Sequence, residues 1–174
     1  MADNLCSKRI QFHIDAATSL TLPKRSKKAP IAYVSVKITD IKDRLRTSVV
    51  KGQKNPTWQQ NLSPTRISET SEVTFEVNHR SIWPKPTTCR LAVTDPYPLS
   101  TLLKMQGGNT FGTNLELPLN TETGMPTTGT LSVNIRELSS IETAKLSWDM
   151  AERMANDSQR IEDKADIQAS LVAL

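Results

Sequence analysis

Cysteine is scarce in this chain, with only Cys6 and Cys89 among 174 residues. Cys6 lies near the chain's start and Cys89 falls where strand alternation puts a buried residue. Two thiols so differently placed do not make a disulfide framework, which points to a reduced, cytoplasmic setting. Long apolar runs are also missing. No stretch approaches the roughly eighteen apolar residues that a membrane-crossing helix needs. The opening, Met1 to Arg9, carries Asp3, Lys8 and Arg9 and no apolar centre, so a secretory signal is not expected. Catalytic and metal-binding motifs are equally sparse. His13 and His79 stand alone, and no Cys or His pair has zinc spacing. Gly-x-Ser-x-Gly does not occur. The stretch Gly107 to Gly112 holds three glycines, but no Lys and no helical period follow it, so it reads as a loop and not a phosphate cradle. No cofactor or small-molecule substrate is implied, and the chain reads as a non-enzyme.

Short alternating runs are what the sequence does contain. Ile10, Phe12 and Ile14 share one side of an extended segment, and Ala32, Val34, Val36 and Ile38 share another. Leu45, Thr47 and Val49 follow more weakly, then Trp58, Gln60 and Leu62 after Asn55-Pro56. Val73, Phe75 and Val77 repeat the pattern, as do Cys89, Leu91 and Val93, then Leu115, Leu117 and Leu119, then Leu131, Val133 and Ile135. These eight runs of period two predict antiparallel strands with one apolar and one wetter face. Pro and Gly fall mainly between them, so the fold class expected is all-β, an eight-stranded antiparallel sandwich. No helical period competes between Lys8 and Leu138.

Beyond Leu138 the period changes. Ser139-Ser140-Ile141-Glu142 has the form of a capping box. Leu146, Met150, Met154, Ile161, Ala165, Ala169 and Val172 then recur at helical spacing, with no Gly or Pro from Ser139 to Leu174. The organisation expected is a flexible N-terminus over 1–7, a sandwich over 8–138 and a long amphipathic C-terminal helix over 139–174. Leu146, Met150, Met154 and Ile161 mark the stripe that must be covered. The sandwich itself, a second copy in a coiled coil, or a further protein partner would each cover it.

The ordered succession of these signals resembles a C2 domain. Arg9 to Leu20 looks like that family's first strand and its lead into the first loop. Ala32-Tyr33-Val34-Ser35-Val36 resembles its Asp-Pro-Tyr-Val strand without the Asp-Pro, and Lys54-Asn55-Pro56-Thr57-Trp58 resembles its Asn-Pro-x-Trp turn. Leu91-Ala92-Val93-Thr94-Asp95 resembles the strand entering the third loop. Gly129 to Ile135 looks like a strand that comes first in one C2 topology, so its place at the end implies the permuted, type II order. The layout is also similar to the C2-like segments that open some multidomain fungal NTPase proteins.

The resemblance raises the question of calcium. C2 domains supply Asp ligands from the first and third loops, and calcium wants six to eight oxygens. Here the first loop holds Lys24, Arg25, Lys27 and Lys28 and no acid. Asp95 matches one third-loop position, Tyr97 stands at the next, and no acid follows before Glu116. The resemblance with these departures implies a calcium-independent module with no metal.

Charge is uneven. Through Leu138 there are 18 Lys/Arg against 11 Asp/Glu, and from Ser139 onward 4 against 7. A basic body with an acidic tail has separate surfaces for separate partners. Lys24, Arg25, Lys27 and Lys28 form one basic cluster, with Leu20 and Leu22 before them as residues that could insert into lipid. Lys37, Arg44, Arg46, Lys51 and Lys54 form the other, on a stretch where C2 domains often carry a lysine-rich patch for phosphoinositide heads. Each cation near an anionic bilayer contributes about 1 kcal/mol. The function expected is therefore docking on an anionic phospholipid membrane, as a peripheral and salt-sensitive attachment, or on a protein partner through the helix. Nucleic acid is not expected, because aromatics do not interleave with the cations. The competing reading is a structural or adhesive sandwich of immunoglobulin type, which strand connectivity discriminates.

Overall fold

The computed structural model describes residues 7–20, 31–51, 53–81, 87–107 and 113–155. Among them, strands β1 (Ser7–Ala17), β2 (Ile31–Ile38), β3 (Ile41–Arg46), β4 (Val50–Lys51), β5 (Thr57–Asn61) and β6 (Thr65–Ser68) precede the long β7 (Glu72–Ser81). Then come β8 (Thr87–Val93), β9 (Tyr97–Pro98), helix α1 (Leu99–Met105), β10 (Leu115–Asn120) and β11 (Pro126–Glu137). A second helix, α2, occupies 140–155. No described helix is long and apolar enough to cross a membrane.

The strands follow the order β3-β2-β7-β8-β10-β11-β1-β5, with the short β4, β6 and β9 pairing β2, β1 and β7 off this path. This is a curled antiparallel sheet of two four-stranded halves. A single residue pair, Val93 opposite Asn120, joins β8 to β10. The halves therefore face each other as layers, cohering mainly through side chains. The closing strand β11 lies between β10 and β1, the place the permuted order requires.

Alternation decides which side chains fill the space between the layers. Ile10, Phe12 and Ile14 of β1, Val34 and Val36 of β2, Val73, Phe75 and Val77 of β7, and Leu131 and Val133 of β11 are fully buried. Phe12 and Phe75 meet edge to face across the layers, their centroids 5.8 Å apart at 81°. That is the favoured geometry of an aromatic pair and adds about 0.5–1.5 kcal/mol to the burial itself.

The structure departs from the sequence-based expectation in several places. Spacing extends the third run over Leu45, Thr47 and Val49, yet β3 ends at Arg46. Thr47 turns in to seal an edge, its Oγ1 accepting the Val34 N–H at 3.0 Å, and Val49 is exposed. Helix α1 interrupts the stretch expected to lack helix. Pro98 opens it, and Leu99 and Leu102, one turn apart, bury its inner side. Two turns are too short to register as a period. Cys89 is exposed and not buried. It shares a side with buried Leu91, but sits near the outer end of β8, past the filled part of the core. Leu20, expected to insert into lipid, is instead a core residue at 2% exposure.

The chain divides into two compact units, 1–137 and 138–174. In the second, Ser139 opens α2 as the capping box predicts. Its amide and hydroxyl donate to Glu142 Oε2 at 2.9 Å each, and its Oγ accepts the Glu142 N–H at 3.2 Å. Such a cap is typically worth about 1 kcal/mol. On α2 Leu146 is half-buried, and Met150 and Met154 are exposed, as is Trp148 at 75%. Ile161 lies outside the described residues.

Candidate functional site

The outer side of the β3-β2-β7-β8 half carries a cluster of charged side chains. Alternation builds it. Val34, Val36 and Ile38 point inward, so Tyr33, Ser35 and Lys37 point outward. Register then stacks partners across the strands: Arg46 opposite Ser35 on β3, Glu76 opposite Ser35 on β7, and Asn78 opposite Tyr33. On β8, Arg90 stands opposite Asn78 and Thr88 opposite Arg80. A bulge at Leu91 lets Leu91 and Ala92 both turn inward without losing Arg90 from this side. Lys51 of β4 joins the same side by pairing with Ile31.

Glu76 occupies the middle, with only 6% of its side chain exposed. Arg44 Nη1 meets its Oε2 at 2.5 Å and Arg90 Nη2 meets its Oε1 at 3.2 Å. The two arginines come from opposite flanks, so the carboxylate is bridged by β3 and β8 while seated on β7. A buried carboxylate is tolerable only when paired in this way. Asn78 Nδ2 completes the polar layer, donating to Ser35 Oγ at 3.2 Å. Arg46 lies over the Tyr33 ring, 5.9 Å from its centroid.

Beside this charge cluster is a cavity of about 390 Å³, lined by Tyr33, Arg46, Thr47, Val49, Arg80 and the pair Thr87 and Thr88. Two guanidinium-bearing residues, several hydroxyls and an aromatic ring border it. That lining suits an anionic, hydroxyl-bearing group better than an apolar one.

Of the basic residues expected from the sequence, Lys37, Arg44, Arg46 and Lys51 come together on this side. Lys54 is exposed in the turn before β5, apart from them. Lys24, Arg25, Lys27 and Lys28, with Leu22, lie outside the described residues. Tyr33, Arg80 and Arg90 belong to the site without having stood out in the sequence. All three alternate outward, and a same-side count on β2, β7 and β8 finds them once the strand order is known.

At the other candidate position, Asp95 Oδ1 accepts the Asn120 Nδ2 hydrogen at 2.8 Å, beside the pair that joins the two halves. Burial, and then the Asp95 carboxylate, hold the Tyr97 phenol above its ordinary value. Among the described residues, no three His, Cys, Asp or Glu side chains gather as metal ligands would. The Asn-Pro turn fastens the end of β1 to the start of β5. Asn55 Oδ1 accepts the Ser19 N–H at 2.9 Å and Pro56 O accepts the Ala17 N–H at 3.0 Å.

The C2 domain family matches residues 8–95, just over half of the chain. The chain belongs to the C2 domain family. Solved structures agree on the C2 fold. A plant Extended Synaptotagmin 1 C2A domain superposes with a TM-score of 0.59 at 16% identity, over 76% of this chain and 97% of that one. Human GIVD cytosolic phospholipase A2 gives 0.57 at 12% identity, over 77% of this chain but only 17% of that enzyme. CC2D1B, described as coordinating ESCRT-III activity in mitotic reformation of the nuclear envelope, gives 0.56 at 16%, over 84% of this chain and 61% of that one. Comparison with curated protein sequences found no match. Family membership makes the chain a docking module for membranes or proteins.

Proposed function

We propose that this C2 domain docks on anionic phospholipid membrane without calcium, through the outer side of the β3-β2-β7-β8 half. The observation that carries the reading is the gathering of Lys37, Arg44, Arg46, Lys51, Arg80 and Arg90 on one side of one sheet half, next to a hydroxyl-lined cavity. At about 1 kcal/mol per cation near an anionic surface, such a set gives a usable but salt-sensitive attachment. The cations supply attraction directly, where acidic loops would need a metal as a bridge. The basic first loop, Lys24 to Lys28, would add to the same attraction. The module is not a catalyst on this reading.

Exposed Trp148, Met150 and Met154 on α2 support a second attachment, to a protein partner through the helix. Sedimentation equilibrium of the whole chain tells a helix that pairs with its own copy from one that recruits another protein.

Vesicle sedimentation tests the main reading. The expected result is capture by phosphatidylserine vesicles and not by neutral ones, unchanged by chelator and weakened by salt. Equal sedimentation with neutral vesicles at low salt would rule the reading out. So would saturable calcium heat in titration calorimetry that Asp95→Asn abolished.

A further inference from the structure

We propose that Glu76 is a built-in counter-anion that sets how strongly this side of the sheet captures an anionic membrane. The inference rests on the membrane reading above and deepens it. The cations of the site fall into two classes. Arg44 and Arg90 converge on one buried carboxylate at 2.5 and 3.2 Å. Lys37, Arg46, Lys51 and Arg80 have no carboxylate partner among the described residues, and Arg46 and Arg80 border the cavity. Glu76 thus draws two guanidinium groups down to the sheet and cancels one charge at the centre of the site. A headgroup phosphate competing for Arg44 or Arg90 must displace a carboxylate already in contact with them.

The arrangement is asymmetric in burial. Glu76 is 6% exposed, whereas the Arg44 and Arg90 side chains are 40% and 36% exposed. Removing the acid's charge leaves both arginines hydrated, so the fold tolerates it better than loss of an arginine. Arg90 also reaches Glu76 through Nη2 alone, and its buried Nε has no acceptor among the described residues. Its guanidinium is therefore not saturated by the acid. Glu76 acts through the arginines and is a positioning residue, not a contact residue.

The test compares the whole wild-type chain with Glu76→Gln, Arg90→Gln and the double variant, on phosphatidylcholine vesicles carrying a fixed fraction of phosphatidylserine, across a salt series. Glu76→Gln should bind about fivefold more tightly, the value of one unit charge near an anionic surface, with a steeper loss in salt. The double variant restores the net charge and should return to the wild-type affinity. A merely structural role for Glu76 would lower the melting temperature without strengthening binding. A folded Glu76→Gln that binds no better than wild type overturns this inference while leaving the membrane reading intact. Failure of the wild type to bind at low salt overturns both. If Glu76→Gln alone does not fold, the double variant against Arg90→Gln measures the same charge step, and equal affinity there overturns the inference.

Discussion

Gln106 Oε1 accepts the backbone N–H of Ile135 at 2.8 Å, stitching the residue after α1 to β11. The ladder between β10 and β11 begins at Leu115 opposite Val133, so among the described residues no strand on that flank reaches Ile135. The side chain of a buried glutamine stands in for the missing strand. Gln106→Leu would leave a buried donor unmade, and should cost about 1–3 kcal/mol in urea unfolding. An unchanged midpoint would mean that water reaches the Ile135 amide.

The Phe12 and Phe75 contact is the aromatic centre of the core. Phe75→Ala should destabilise the domain by about 3–5 kcal/mol, the range for a buried aromatic replaced by alanine. Loss should register together in near-ultraviolet and far-ultraviolet circular dichroism, because both layers lean on the same ring pair.

Gly129 lies where β11 crosses close to the end of β1. A Cβ there would sit 2.8 Å from the Thr18 carbonyl oxygen and 3.3 Å from that of Ser19. Both are main-chain atoms and cannot swing aside. Gly129→Ala should cost about 1–3 kcal/mol by forcing the backbone apart, read as a lowered melting temperature.

Lys8 ties β1 to β11 and to the turn after β6, with Nζ 2.8 Å from Glu137 Oε2 and 3.0 Å from Glu69 Oε1. The hydrogen bond to Glu137, then that to Glu69, raises its pKa above the ordinary 10.5. A group whose pKa is higher folded than unfolded stabilises fully below its unfolded pKa and loses that contribution as pH rises through the folded one. The contribution is therefore constant at neutral pH and fades above about pH 10.5. Both acids are more than a third exposed, so the pairs together are worth about 1 kcal/mol or less. Lys8→Met should lower stability by that amount at pH 7, with the gap to wild type closing at strongly alkaline pH.

Much of this fold was legible because its long strands alternate over most of their length. Ile10-Phe12-Ile14 and Val73-Phe75-Val77 could be assigned a buried side from spacing alone, and Ser139 with Glu142 announced the start of α2. What escaped was decided between strands. Alternation puts Glu76 on the outer side, where a lone acid would be expected in water. Only the register shows β3 and β8 delivering Arg44 and Arg90 to it from residues 32 and 14 positions away. Spacing likewise marks Cys89 as an inward residue but cannot say that the core ends before reaching it. Leu99 and Leu102 lie on a helix of two turns, too little for any period to show.

Among the described residues, Val93 and Asn120 form the one strand rung between the two halves of the sheet. Backbone hydrogen bonding therefore hardly opposes the halves sliding or parting, and resistance comes from the ring pair and aliphatic side chains clasped between them. Such a molecule should behave under load as two stiff plates glued face to face. Pulling them apart would peel an oily seam while each plate kept its own ladder.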